Sequence, residues 1–184
     1  MHDSIPKFFS LLIVIADAGL VLGLLGLLIP GLRRGLRSFL GGWKNELVFG
    51  IALASTAGSL VLSELADYPP CELCWYQRIM MYPLVILFAL AVFGKNRDAR
   101  IQGIIFSGIG LVIAAYHTAL QLGVKAIVPC SDRVLAVPCG EALFKEYGYV
   151  TIPVMSLTAF AFILFVLIIG SKKGNRSGEL VRLG

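Results

Sequence analysis

Residues 69–83 read Pro69-Pro70-Cys71-Glu72-Leu73-Cys74-Trp75-Tyr76-Gln77-Arg78-Ile79-Met80-Met81-Tyr82-Pro83: a turn, two cysteines three positions apart, and the opening of an apolar helix. Neither leading proline fits inside a preceding helix, so the pair ends one. Cys71 and Cys74 then fall at the N-terminus of the next, where the helix dipole and unpaired N–H groups favour a thiolate. Arg78, four residues after Cys74, shares that face of the helix. Its fixed charge predicts a lowered thiol pKa and a hold on an anionic intermediate. The pattern is a candidate redox centre; a structural disulfide or half of a zinc site fits a bare CxxC equally well.

Around this stretch the chain is strongly apolar. Of its 184 residues 58% are hydrophobic and 15% charged, with a mean hydropathy of +0.85. The length suits one domain, and the composition is that of an integral membrane protein whose apolar side chains face lipid. Five apolar runs are long enough to cross a bilayer: 8–29, 47–66, the CxxC to Phe93, 101–122 and 153–169. The predicted fold is therefore all-α, a polytopic helical bundle. Pro83 is expected to kink the third span.

Asp17 lies within the first run. An intramembrane acid is a functional candidate by default, but the preferred reading is packing inside the bundle, protonated or hydrogen-bonded. Ala16-Asp17-Ala18 faintly resembles a signal-peptide cleavage site; the apolar run continues past it, which favours retention as a span. Gly19, Gly23 and Gly26 allow close helix contact, and Ser55, Ser59 and Ser63 recur every four positions on the second span.

The net charge of +5 does not point to nucleic acid, because of where the charges sit. Arg33, Arg34, Arg37 and Lys44 form one basic loop, Lys95, Arg97 and Arg100 a second, and Lys172, Lys173, Arg176 and Arg182 a polar tail, expected to be disordered beyond Gly174. With five spans all three lie on one side, which the positive-inside rule makes the cytoplasm. The CxxC turn, the loop from Gly123 to Ile152 and the N-terminus are then outside. Within that loop residues 141–147 are expected to form a short surface helix with Leu143, Phe144 and Tyr147 towards lipid.

The loop carries the second cysteine pair, Cys130 and Cys139, each preceded by proline. Two close pairs outside the spans suit disulfides in an oxidising compartment. An exposed Cys130–Cys139 disulfide on a loop able to swing suits relay to Cys71 and Cys74 by thiol–disulfide exchange. A four-cysteine zinc site is the rival, weakened by the compartment and by the spacing of the second pair; no metal is expected. By helical rise Arg78 lies ~6 Å and His117 ~7–8 Å inside the same end of adjacent spans. Arg78, His117 and Gln121, one turn after His117, are thus expected to meet in a polar pocket that suits a quinone, whose carbonyls accept hydrogen bonds from Arg and His. The simpler alternative is a His117 bonded to backbone and an Arg78 that snorkels outward.

Cys71-Glu72-Leu73-Cys74-Trp75-Tyr76-Gln77-Arg78-Ile79-x-Met81-Tyr82-Pro83 resembles the motif of the DsbB/BdbC disulfide-bond-formation family. Tyr116-His117-Thr118-x-Leu120-Gln121-Leu122 is similar to the end of that family's third core helix, and Cys139-Gly140-Glu141 with Thr151-Ile152-Pro153-Val154-Met155-Ser156-Leu157 to its closing segment. The resemblance covers about 46–169. It implies a four-helix core at 46–170, preceded by an extra transmembrane helix and basic loop at 1–45 and followed by a tail at 171–184. It also implies an enzyme of the bacterial plasma membrane, in which a DsbA-like thioredoxin-fold partner attacks Cys130–Cys139 and Cys71–Cys74 re-oxidises that pair. Two electrons then pass from Cys74 to a quinone, ubiquinone or menaquinone, that Arg78 polarises and His117 approaches. The relay through a DsbA-like protein and a quinone is known chemistry of that family.

The extra N-terminal span departs from the family's four-span core, and the eight residues between Cys130 and Cys139 resemble the Gram-positive-type members more than the long-loop enterobacterial ones. Two other readings stay in view. One is a quinone reductase resembling vitamin K epoxide reductase, which the order of the cysteine pairs argues against. The other is a membrane scaffold whose disulfides only brace loops.

Overall fold

The structure is a computed structural model and describes residues 4–96, 98–125 and 138–170. Five helices follow one another: α1 (Ser4–Gly26), α2 (Pro30–Glu64), α3 (Glu72–Val92), α4 (Ala99–Gln121) and α5 (Ile152–Ile169). All five are long and apolar enough to cross a membrane. Among the described residues the one extended pairing is an isolated bridge between Glu146 and Val150.

Helices α2 to α5 form a closed four-helix ring, in which α2 packs on α3 and α5, and α4 on α3 and α5. Large side chains from three helices fill its centre: Leu84 and Phe88 of α3, Val48 of α2, Phe160, Ile163 and Leu167 of α5, all fully buried. The fourth helix meets them with small residues. Gly103, Ser107, Gly110 and Ala114 line the inward face of α4 at helical spacing. A Cβ on Gly110 would run into the Phe160 ring, and one on Gly103 would lie 2.7 Å from Phe88 and Leu167. Helices in lipid gain by close approach rather than by leaving water, so small residues opposite large ones set the packing. Helix α1 packs outside the ring, on α2 and α5.

Two expectations are corrected. The stretch with Arg33, Arg34, Arg37 and Lys44 is not a loop but the first part of α2, a helix of 35 residues. Pro30 occupies its first turn, where a missing N–H costs nothing. Leu32, Leu36, Leu40, Trp43 and Leu47 then recur at helical spacing, with the basic residues beside that stripe. Residues 141–147 are likewise not a helix. The N–H groups of Glu146 and Val150 each donate to the other's carbonyl, at 3.0 and 2.9 Å, closing a tight turn. Tyr147 and Gly148 take φ of 50° and 81° in it, the left-handed region that a helix excludes and glycine accepts freely. Leu143 and Tyr147 are exposed, whereas Phe144 packs edge-on against Tyr68, with ring centroids 5.2 Å apart. Helix α3 runs on through Pro83. Arg97 and the tail beyond Gly170, with its expected disorder, lie outside the described residues.

Asp17 is hydrogen-bonded, in line with the preferred reading. Its carboxylate accepts from the Thr158 hydroxyl at 2.7 Å and the Tyr149 hydroxyl at 2.8 Å. The hydrogen bond that the Tyr149 phenol donates to Asp17 raises its pKa, with desolvation and the carboxylate's charge adding to it.

Candidate functional site

Cys71 is the N-cap of α3. It is extended, with φ −72° and ψ 173°, and its sulfur accepts the backbone N–H of Cys74 at 3.4 Å. An extended N-cap whose side chain takes an N–H of the first turn is the ordinary start of a helix, which here begins at Glu72. One turn brings the Cys74 sulfur to 3.0 Å from that of Cys71, close enough for the two to share one proton. Both are free thiols, Cys71 buried and Cys74 partly so.

His117 arrives from α4 and is 2% exposed. Its Nε2 lies 3.6 Å from the Cys71 sulfur, and its Nδ1 3.0 Å from the Gln77 amide nitrogen. With the amide donating to Nδ1, the ring proton sits on Nε2 and points at the sulfur. The Cys71 thiol is drawn down from 9.0 to about 4. Sharing the Cys74 proton is the largest cause, burial opposes it, and the bond and charge of His117 assist. The low-pKa sulfur is thus Cys71, whereas the sequence pointed to Cys74 beside Arg78.

Arg78 faces the other way. Its Nε donates to the Ser59 hydroxyl at 2.9 Å, and one terminal nitrogen donates to the Ser59 carbonyl at 3.0 Å. The guanidinium lies over the Trp75 ring, 5.2 Å from its centroid. These contacts hold a cation that is only 8% exposed and leave its other N–H groups unspent. The expected meeting of Arg78 with His117 does not occur. Arg78, Gln77 and Cys74 line a cavity of about 560 Å³, with Ser59 of α2, Met155 of α5 and Ala16 of α1 among its other walls. His117 and Gln121 line a separate small recess with Cys71 and Cys74. Gln121 donates to the Glu141 carbonyl at 3.2 Å, which ties α4 to the segment after Cys139.

Cys139 is disulfide-bonded, and Cys130 lies outside the described residues. The expectation of an exposed second pair does not hold at Cys139, which is 3% exposed. Cys71, Leu120 and Cys139 form one small buried cluster, flanked by Leu73, Cys74 and Tyr116. The CxxC pair therefore has the second pair's sulfur chemistry on one side and the apolar cavity on the other.

The sulfur atoms of Cys71 and Cys74 and the His117 ring are also potential zinc ligands, all within 4.8 Å of one another. Four contributors carry no distinct signal in the sequence: Gln77 is one polar residue within the motif, Ser59 is one of three serines in a stripe, and Tyr149 and Thr158, the partners of Asp17, are more than 130 residues away from it.

Comparison with known proteins identifies the family. Residues 43–170 match the family model "Disulfide bond formation protein DsbB". The chain is 40% identical over 124 residues to a probable disulfide formation protein of Oceanobacillus iheyensis, covering 66% of this chain and 83% of that one. It is 38% identical over 141 residues to disulfide bond formation protein C of Bacillus subtilis, covering 73% and 99%. A third relative, the SPbeta prophage-derived disulfide bond formation protein B of Bacillus subtilis, is 36% identical over 130 residues, covering 69% and 86%. No solved structure gives a significant match.

Proposed function

The chain belongs to the DsbB family of disulfide bond formation proteins, and from that membership we propose that it is a membrane thiol:quinone oxidoreductase. It takes electrons from an extracytoplasmic DsbA-like dithiol protein and delivers them to a quinone. The N-terminus and both cysteine pairs face outward and the C-terminus faces the cytoplasm, as the basic residues favour. The observation that carries the reading is the position of the dithiol between Cys139 and the cavity.

The cavity suits a quinone. Its walls are apolar over most of their extent, and Arg78 offers unspent N–H donors to a carbonyl oxygen beside the Cys74 sulfur. A quinone supplies an acceptor for two electrons and two protons. Everything else falls to the chain. A partner thiolate attacks the disulfide that holds Cys139, and the partner's second thiol resolves the mixed disulfide, leaving the partner oxidised and this pair reduced. Exchange with the Cys71–Cys74 disulfide moves both electrons to that pair. With both electrons on that pair, Cys71 and Cys74 are thiols beside the cavity and the disulfide that holds Cys139 is restored. His117 holds the Cys71 sulfur as a thiolate ready to close on Cys74, and Arg78 orients the acceptor. Closing the disulfide releases two electrons and the one shared proton, and the second proton that the acceptor needs comes from the medium, to which Cys71 gave its own on ionising.

Two free thiols in proton-sharing contact favour this reading over a scaffold, in which they would brace a loop. Mixing the purified protein with a reduced thioredoxin-fold dithiol, with and without quinone, tests it. The dithiol is expected to be consumed catalytically only when quinone is supplied; equal consumption without quinone contradicts the proposal.

A further inference from the structure

The family match begins at residue 43, so α1 lies outside it. We propose that α1 is a working wall of the quinone cavity, docked by Asp17, and that Ala16 helps set the size of the molecule the cavity accepts. The proposal rests on the quinone reading above.

Helix α1 is held to the ring at three points. Towards its start the Phe9 ring fills the notch over Gly58 of α2, where a Cβ would lie 2.9 Å from it. In the middle the Asp17 carboxylate takes hydrogen bonds from Thr158 of α5 and from Tyr149. Towards its end Gly23 meets Phe165 of α5, again 2.9 Å from a Cβ placed there. Between these points it stands off, and Leu12, Ile13, Ala16 and Gly19 face the cavity. Across the cavity, on α3, are Cys74 and Arg78.

The helix gives little else to the bundle. Only 6% of its spanning window is buried, against 39% for α5. A helix kept only for packing would spend its inward face on the core, and this one spends it on the cavity. Asp17 fits the same purpose. A carboxylate in an apolar span is expensive, and two hydroxyl donors from distant segments offset that cost only when α1 sits in one place. Tyr149 stands just after the turn at Tyr147 and Gly148, on the segment that follows Cys139. The dock therefore joins the extra helix to the loop that carries the second pair.

Ala16→Phe fills the cavity from α1, and Leu22→Phe makes the same change on the same helix where the side chain is 67% exposed to the surroundings. Equilibrium binding of a prenylated quinone is read by quenching of tryptophan fluorescence, and steady-state kinetics with the reduced dithiol protein give KM and kcat. Ala16→Phe is expected to raise Kd and KM together by about tenfold, with mixed-disulfide formation at the second pair unchanged. Leu22→Phe leaves all three as in the wild type. Asp17→Asn keeps the hydrogen-bonding shape and loses the charge, and its KM rises severalfold. Ala16→Leu serves if the phenylalanine variant does not fold, with a smaller rise in the same direction. Unchanged Kd and KM in a folded Ala16 variant, with the wild type turning over, overturn the wall while leaving the quinone reading intact. A wild type that neither binds nor reduces quinone overturns both.

Discussion

The Nε2 of His117 and the sulfur of Cys71 lie 3.6 Å apart in a buried recess, and the Gln77 amide fixes the ring from behind. Two helices thus meet at the capping sulfur of one of them. The consequence is a thiolate at neutral pH, held by proton sharing with Cys74, by the imidazole and by the N-terminal N–H of α3.

In the reduced protein the thiolate ultraviolet absorbance is expected to persist through the neutral range and to disappear as pH falls through about 4. The folded pKa of Cys71 is depressed below the ordinary 9.0. Its contribution to the stability of the reduced fold is therefore complete above pH 9 and is lost as pH falls through about 4. His117→Ala should move the titration upward by about one unit, and Gln77→Leu by less, because it releases the ring without removing it. A titration that stays put in His117→Ala would separate the ring from the thiolate.

Ser59 positions Arg78 through its hydroxyl and its carbonyl. Ser59→Ala removes one of two anchors, and a hydrogen bond to a charged group is worth about 1.5–3 kcal/mol. The KM for quinone should rise about tenfold with kcat little changed. Arg78→Lys, which loses both the planar fork and its place over Trp75, should be worse than Ser59→Ala. Steady-state kinetics at saturating dithiol substrate distinguish the two; equal KM values in wild type and Ser59→Ala would show that the carbonyl alone suffices.

Gly110→Ala tests the helix ring. The added methyl meets the Phe160 ring, which is fully buried and has nowhere to turn. A loss of about 1–3 kcal/mol is expected from overpacking, seen as a lower thermal midpoint in detergent. Gly108→Ala, where nothing lies within 4 Å, is the matched control and should be neutral or slightly stabilising.

The spans were legible because lipid leaves few options: long apolar runs bounded by prolines and charges must be helices. The start of α3 was legible because Pro69 and Pro70 cannot lie inside a helix, which places its first turn at the CxxC motif. What escaped was the direction in which side chains point. Equal depth placed Arg78 and His117 at one level, but depth along a helix says nothing of rotation about it, and they face opposite sides of the dithiol. The basic stretch after Pro30 was assigned by its charge, although its leucines carry the helical period. The Glu146–Val150 turn depends on backbone angles at Tyr147 and Gly148 that an apolar pattern conceals.

The most direct test compares wild type with Cys74→Ser for reduction of quinone by a reduced thioredoxin-fold dithiol, with the purified protein in detergent. The wild type should convert one quinone to quinol for each dithiol oxidised. Cys74→Ser should reduce none, while still forming a mixed disulfide between the partner and the second pair. Quinol production by Cys74→Ser at the wild-type rate would contradict electron delivery through the dithiol at the cavity wall.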